Sequence, residues 1–411
     1  MMSTKNRAAR PVSAVCLAAA LIAGCGGSGG DSGAAAVGVG NAQAQANVVP
    51  YGGPLAADMP LAKAYDEAAK AMAATTDNPI LKWEYRVWCQ TGYRTKAEGG
   101  TGQPVDLPLD PTKDLVSPTG FLHTDLSRVM PAGGVQFMDN AWYFGTDLTG
   151  MVVVRTPDGN LVMFDALTTA GDMQTQTIDQ MKAIGLDPAR VTHIFIGHEH
   201  SDHYGGIELI KRDYAPNVRV IATAPAAQTI ASARARVLTR TFTGTPAEQL
   251  AARNTALFNV PEKIDIIVKP YEGYAMGMQR IPVANATDVV AMLAPGHTPG
   301  QLNVVVPVNH QGKTRKLLIW SGNDNIDVAD QYAASTDFVQ GIAFKEGTDS
   351  VINTHGYQGA VFGHLRNLKA NPSGPNPLLM GVDGLQRYFS IYANCQRAEA
   401  QRLRDGTWKA L

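Results

Sequence analysis

The chain has almost no net charge, only four cysteines, no Gly-x-Ser-x-Gly outside the Gly-rich run 26–30 and no second long apolar run. A formal charge of -1 over 411 residues leaves no basic field, which excludes nucleic acid as a partner. Beyond residue 22 no segment is apolar for long enough to span a bilayer. The run 26–30 lies in a Gly/Ala/Ser-rich stretch and not between a strand and a helix, so there is no sign of a serine nucleophile on a strand-to-helix elbow. No short-period repeat is present, only a rough duplication of strand-rich halves. The remaining composition, 45% hydrophobic and 17% charged, is that of a globular protein able to bury a sizeable core.

The first 25 residues have a different character. Lys5, Arg7 and Arg10 precede an apolar stretch over 12–22 that is too short for a stable membrane anchor and reads as a secretory signal. It closes on Leu21-Ile22-Ala23-Gly24-Cys25, which resembles a bacterial lipobox. The expectation is a signal peptide over 1–24 and a lipidated Cys25 holding the protein at a membrane; the alternative is an ordinary signal peptide with Cys25 incidental. Gly26 after the cysteine favours the outer membrane, facing the periplasm. Residues 25–54, rich in Gly, Ala and Ser, form a flexible tether. Cys16 leaves with the signal. Cys89 and Cys395 either form one disulfide across a very long loop or remain two buried thiols.

Residues 55–133 read as an N-terminal extension with a helix over 61–74, an ordered piece over 83–89 and a Gly/Pro/Asp-rich surface stretch over 99–129. Regular architecture occupies 134–411. Strand-like runs at 135–137, 141–144, 151–155 and 161–165 lead through a helical segment to an apolar strand at 192–196. A strand at 218–222, a helix from Pro225 and a polar, helix-prone insertion over 238–261 that overhangs a site follow. A second strand-rich half covers 264–269, 289–293, 302–306 and 316–321, with helices from 361 onward. Two such halves, each followed by helices, predict an α+β fold with a sheet-on-sheet core and helices outside.

Three of the nine histidines fall in the run His198-Glu199-His200-Ser201-Asp202-His203, directly after a strand. Catalytic zinc takes neutral imidazole and carboxylate ligands and keeps one position open. The alternation of His198 and His200 aims two imidazoles the same way, while Asp202 and His203 can face a second metal. Ala294-Pro-Gly-His297-Thr-Pro-Gly300 and Ser350-Val-Ile-Asn-Thr-His355-Gly each put a histidine just past a strand, where sites collect. His355 is preferred over His364, which sits in a helical stretch. His193 lies inside a strand and reads as structural; His123 and His310 read as surface residues. Asp165 is either a support for the histidine loop or a plain strand-end carboxylate.

Taken together, His-x-His-x-Asp-His, Pro-Gly-His-Thr-Pro-Gly and a late histidine resemble the metallo-β-lactamase superfamily, and most closely the third subclass of class B β-lactamases and its environmental relatives. Phe137-Met-Asp-Asn-Ala-Trp-Tyr-Phe-Gly-Thr146 and the tail from Asn376 to Cys395 carry the same likeness. The resemblance implies a four-layer αββα sandwich with two zinc ions (Zn2+). His198, His200 and His297 would hold one, and Asp202, His203 and His355 the other. It implies hydroxide attack on a small-molecule carbonyl substrate, with Asp202 as the catalytic residue that orients the nucleophile and handles its proton. In Ile319-Trp-Ser-Gly-Asn-Asp-Asn325, Asn323 stands where lactonase and glyoxalase II relatives place a bridging aspartate, and Asp324 follows it. That spacing favours a lactamase-like arrangement, whereas the small hydroxyl residues that hold a β-lactam carboxylate are not evident. A lactone, ester or thioester hydrolase, an iron-dependent oxygenase like the persulfide dioxygenases, and a non-catalytic metal-binding lipoprotein stay open. The oligomeric state is not legible.

Overall fold

The computed structural model of the protein describes residues 55, 60–89, 129–322 and 328–406. The expected signal and tether, Cys25, His123, Asn323 and Asp324 lie outside the described residues.

Helix α1 (Leu61–Ala74) is followed by α2 (Pro79–Trp88), which starts with proline in its first turn under an Asn78 cap whose side chain accepts from the Ile80 amide. The first sheet runs in sequence order, β1 to β7. Its antiparallel part is β1 (Val135–Met138), β2 (Ala141–Gly145), β3 (Gly150–Arg155) and β4 (Leu161–Phe164). Past β4 the sheet turns parallel, because each further strand is reached through helices. Segment 170–183 (α3) leads to β5 (Val191–Phe195), α4 (Ile207–Asp213) to β6 (Arg219–Thr223), and α5 (Ala224–Thr239) with α6 (Pro246–Phe258) to β7 (Ile266–Val268). The second sheet is a meander of β8 (Gly277–Ala284), β9 (Thr287–Leu293), β10 (Leu302–His310) and β11 (Lys313–Trp320). Helix α7 (Ala329–Lys345) then crosses to β12 (Ser350–Asn353), which is parallel to β11. Helices α8 (Val361–Ala370) and α9 (Gly381–Arg404) complete the order.

Strand periodicity assigns the layers. In β3, Val152 and Val154 enter the core shared with Val289, Val304, Leu317 and Ile352 of the second sheet. Met151 and Val153 point the other way, onto Met173, Ile178, Ile207 and Ile210 of α3 and α4. With both faces covered, these strands read as continuous apolar runs. On the far side Trp320 of β11 packs against rings of Tyr332 on α7 and Tyr388, Phe389 and Tyr392 on α9. Helix, sheet, sheet, helix: this is the α+β four-layer sandwich. Strand β8 was not legible in the sequence. Pro282 and a half-exposed pattern, both typical of a sheet edge, mask it.

Helices α1 and α2 pack on α9. Asp66 pairs with Arg402, Arg387 donates to the Met72 carbonyl, and Cys89 is disulfide-bonded to Cys395. The insertion over 238–261 is the end of α5 and all of α6, which buries no residue.

His193 occupies β5 in register with Arg219, and its Nδ1 lies 2.9 Å from the Thr192 hydroxyl. Burial, then the Arg219 charge, pushes its pKa down to about 4. A depressed histidine contributes stability above its ordinary value near 6.5 that is lost as pH falls toward 4. Denaturant unfolding at pH 7.5 and pH 5 is expected to show a smaller loss in His193→Gln than in the parent. Equal losses would refute this role.

Candidate metal centre

Directly after strand β4 comes Asp165, which takes a positive φ of 72° and turns its carboxylate under the loop that follows β5. Oδ1 accepts from the Gly197 amide at 2.6 Å, and Oδ2 lies 2.8 Å from Nδ1 of His203. Asp165 therefore supports the histidine loop. Gly197 must be glycine there, since a Cβ would stand 1.8 Å from the Ser321 hydroxyl. Glu199 points away from the histidines into a buried seat. It accepts from the Thr298 hydroxyl (2.7 Å) and the Gly300 amide (3.1 Å), fastening the loop of His297 to the loop of His198. The third loop, after β12, is held through His355, whose Nδ1 is 2.6 Å from the Leu148 carbonyl. The neighbouring Thr149 hydroxyl donates to Asp202 Oδ2 at 2.8 Å.

These loops bring five imidazoles together. Ligand-capable atoms of His198, His200 and His297 form one group, and those of His198, His203 and His355 a second, each within 4.8 Å. His198 is common to both. Nδ1 of His200 lies 3.1 Å from His198 Nε2 and 3.2 Å from His297 Nε2. Nitrogens bound to one tetrahedral zinc at ~2.0–2.1 Å stand roughly 3.3 Å apart, so the spacing fits a shared cation. Asp202 lies against the second group, its Oδ2 3.5 Å from His203 Nε2, but is not among the three convergent donors. His364, half-buried on α8, and His310, half-buried at the end of β10, belong to neither group.

The electrostatics suit neutral donors. Burial and the neighbouring imidazoles push His198 well down, His297 to about 3 and His355 to about 4. For His203 burial again opposes charge, but the charge and hydrogen bond of Asp165, with Asp202, outweigh it and raise the ring. Burial would raise Asp202 too; His203, His355 and the Thr149 hydrogen bond overcome it and lower the carboxyl. Buried Nδ1 of His198 and Nε2 of His203 have no hydrogen-bond partner among the described residues. With Nδ1 of His203 and of His355 engaged by an aspartate and a carbonyl, their Nε2 atoms are the ones left for a metal. The residues fit a divalent metal.

Residues 146–277 match the Metallo-beta-lactamase superfamily. The superfamily span runs from the loop before β3 to the start of β8 and contains Asp165 and the whole run His198 to His203. His297 and His355 lie beyond it and join the site through the fold. Among solved structures, MIM-1, a metallo-beta-lactamase from Novosphingobium pentaromativorans, is 18% identical over 69% of this chain and 94% of its own, with a TM-score of 0.49. BJP-1, a subclass B3 metallo-beta-lactamase of Bradyrhizobium japonicum, is 18% identical over 69% and 96%, with a TM-score of 0.47. A Cronobacter sakazakii metallo-beta-lactamase is 18% identical over 70% and 93%, with a TM-score of 0.49.

Four partners of the site were not legible in the sequence: Leu148, Thr149, Glu199 and Thr298. Glu199 carried no separate signal within the histidine run. Leu148 and Thr149 sit in a turn between strands whose contact with His355 and Asp202 exists only after folding.

Proposed function

We propose that this protein is a di-zinc hydrolase that opens a small carbonyl substrate, with β-lactams as the first substrate class to test. The observation that carries the reading is the convergence of five imidazoles from three strand-end loops into two groups beside one carboxylate. His198, His200 and His297 would hold one ion; Asp202, His203 and His355 would hold the other. Bound zinc supplies Lewis acidity, polarising a carbonyl oxygen and acidifying water so that hydrolysis runs near neutral pH.

The chain's own residues do the rest. Asp202 Oδ2, fixed by the Thr149 hydroxyl and close to His203, is placed to accept a proton from the attacking water and return it to the leaving group. Asp165 fixes the His203 tautomer, and the Leu148 carbonyl fixes that of His355. Exposed His200 marks the open side through which substrate enters, while His198 and His203 close the inner wall. Export as a lipoprotein through Cys25 completes the proposal, and the Cys89–Cys395 disulfide supports an oxidising compartment.

Elemental analysis of protein purified without chelator, followed by a panel of chromogenic cephalosporin, lactone and thioester, tests the reading. Two zincs per chain are expected, falling to about one in His355→Ala, with cephalosporin turnover that chelation abolishes. A single iron overturns the hydrolase. Two zincs with lactone or thioester turnover alone moves the substrate class.

A further inference from the structure

Resting on the metal-centre reading, we infer that Gln301, Asn303 and Asn353 are positioning residues that couple the two metal positions through one buried chain of amides. The loop bearing His297 and the loop bearing His355 are separated by β10 and β11, so no local turn joins them. A path of hydrogen bonds and the short backbone step from Ser321 to Gly322 does. The His297 amide donates to Gln301 Oε1 at 2.9 Å, and Gln301 Nε2 donates to Asn303 Oδ1 at 3.3 Å. The Ser321 amide donates to that same Oδ1 at 2.9 Å. One residue on, the Gly322 carbonyl accepts from Asn353 Nδ2 at 3.1 Å, and Asn353 Oδ1 accepts from the His355 amide at 2.8 Å.

Burial makes this path stiff. Gln301 and Asn303 are 0% exposed and Asn353 is 3%. In such surroundings a partner lost anywhere leaves a desolvated polar group with no water to replace it. Gly322 ties the path to the site a second time. Its φ is +100°, and a Cβ there would stand 2.7 Å from the His297 Cβ, so the backbone carrying the path lies against the ring-bearing residue itself. A shift of His355 is thus passed along Asn353 and the 321–322 backbone to His297. Gln301 and Asn353 meet the two histidines at their backbone amides, so the path acts through the backbones of His297 and His355.

The test separates coupling from local support. Asn353→Ala cuts the link at His355 and Gln301→Met cuts it at His297, while Asn353→Ser is the milder variant should the alanine fail to fold. Zinc affinities come from chelator competition, and the visible spectrum of the cobalt(II)-loaded protein reads each ligand field. Each single change is expected to weaken both ions by roughly 10–100-fold and to alter both cobalt environments. The double variant is expected to be little worse than the worse single one. An Asn353 variant that weakens one ion and leaves the other's cobalt spectrum unchanged, or a strictly additive double variant, overturns the coupling. Parent protein that binds no metal overturns the metal centre and the coupling with it.

Discussion

Asp165→Ala is expected to cost about 3–5 kcal/mol of stability and most of the zinc at the position of His203. Its carboxylate is 1% exposed and serves two partners, the Gly197 amide and His203 Nδ1. Alanine leaves both buried groups without an acceptor, and nothing else within the loop can turn to meet them. Asp165→Asn separates folding from metal binding. Its Oδ1 still accepts from Gly197, so folding is largely kept, but its amide nitrogen faces His203 Nδ1. The ring must then accept there and carry its proton on Nε2, the atom the metal needs. Urea unfolding of metal-free protein and zinc content of the folded variants measure the two effects. Full zinc occupancy in Asp165→Asn would sink the argument.

Gly205→Ala is expected to be at least as damaging, with a loss above about 4 kcal/mol or no soluble protein. An added Cβ would stand 1.8 Å from the Thr168 carbonyl oxygen, 2.2 Å from its carbon and 2.7 Å from the Thr169 nitrogen. All three are backbone atoms, so no rotamer change relieves the clash. The segment they belong to is pinned from both sides, by Ala166 N to the His203 carbonyl and by Gly205 N to the Leu167 carbonyl. Gly185→Ala is the control. It has open space around it and a φ of +78°, so only the left-handed backbone is penalised, by about 1 kcal/mol. Equal melting temperatures for the two variants would show that the close approach carries no weight.

Much of this was legible because apolar alternation and histidine spacing are local signals. Strands β2 to β6 announce themselves as apolar runs bounded by turns, and His198, His200 and His203 sit within one such boundary. What escaped depends on pairing across the chain. Glu199 stands directly between two ligand candidates, yet its seat is made by Thr298 and Gly300. Asn353 looked like the ordinary end of a strand until Gly322 was placed beside it. Strand β8 escaped for the opposite reason: as an edge it is allowed a proline and arginine that an inner strand refuses.

The Cys89–Cys395 bond has a consequence beyond the helices it joins. Every histidine facing the metal centre, and both sheets, lie in sequence between these two cysteines, so the oxidised chain is a covalent circle through the entire catalytic layer. When such a circle unfolds, the three histidine loops cannot drift as far apart as in an open string. The sites reassemble from a smaller search volume. A protease cut in the exposed α5–α6 arm would open one arc and leave the rest of the circuit threaded together.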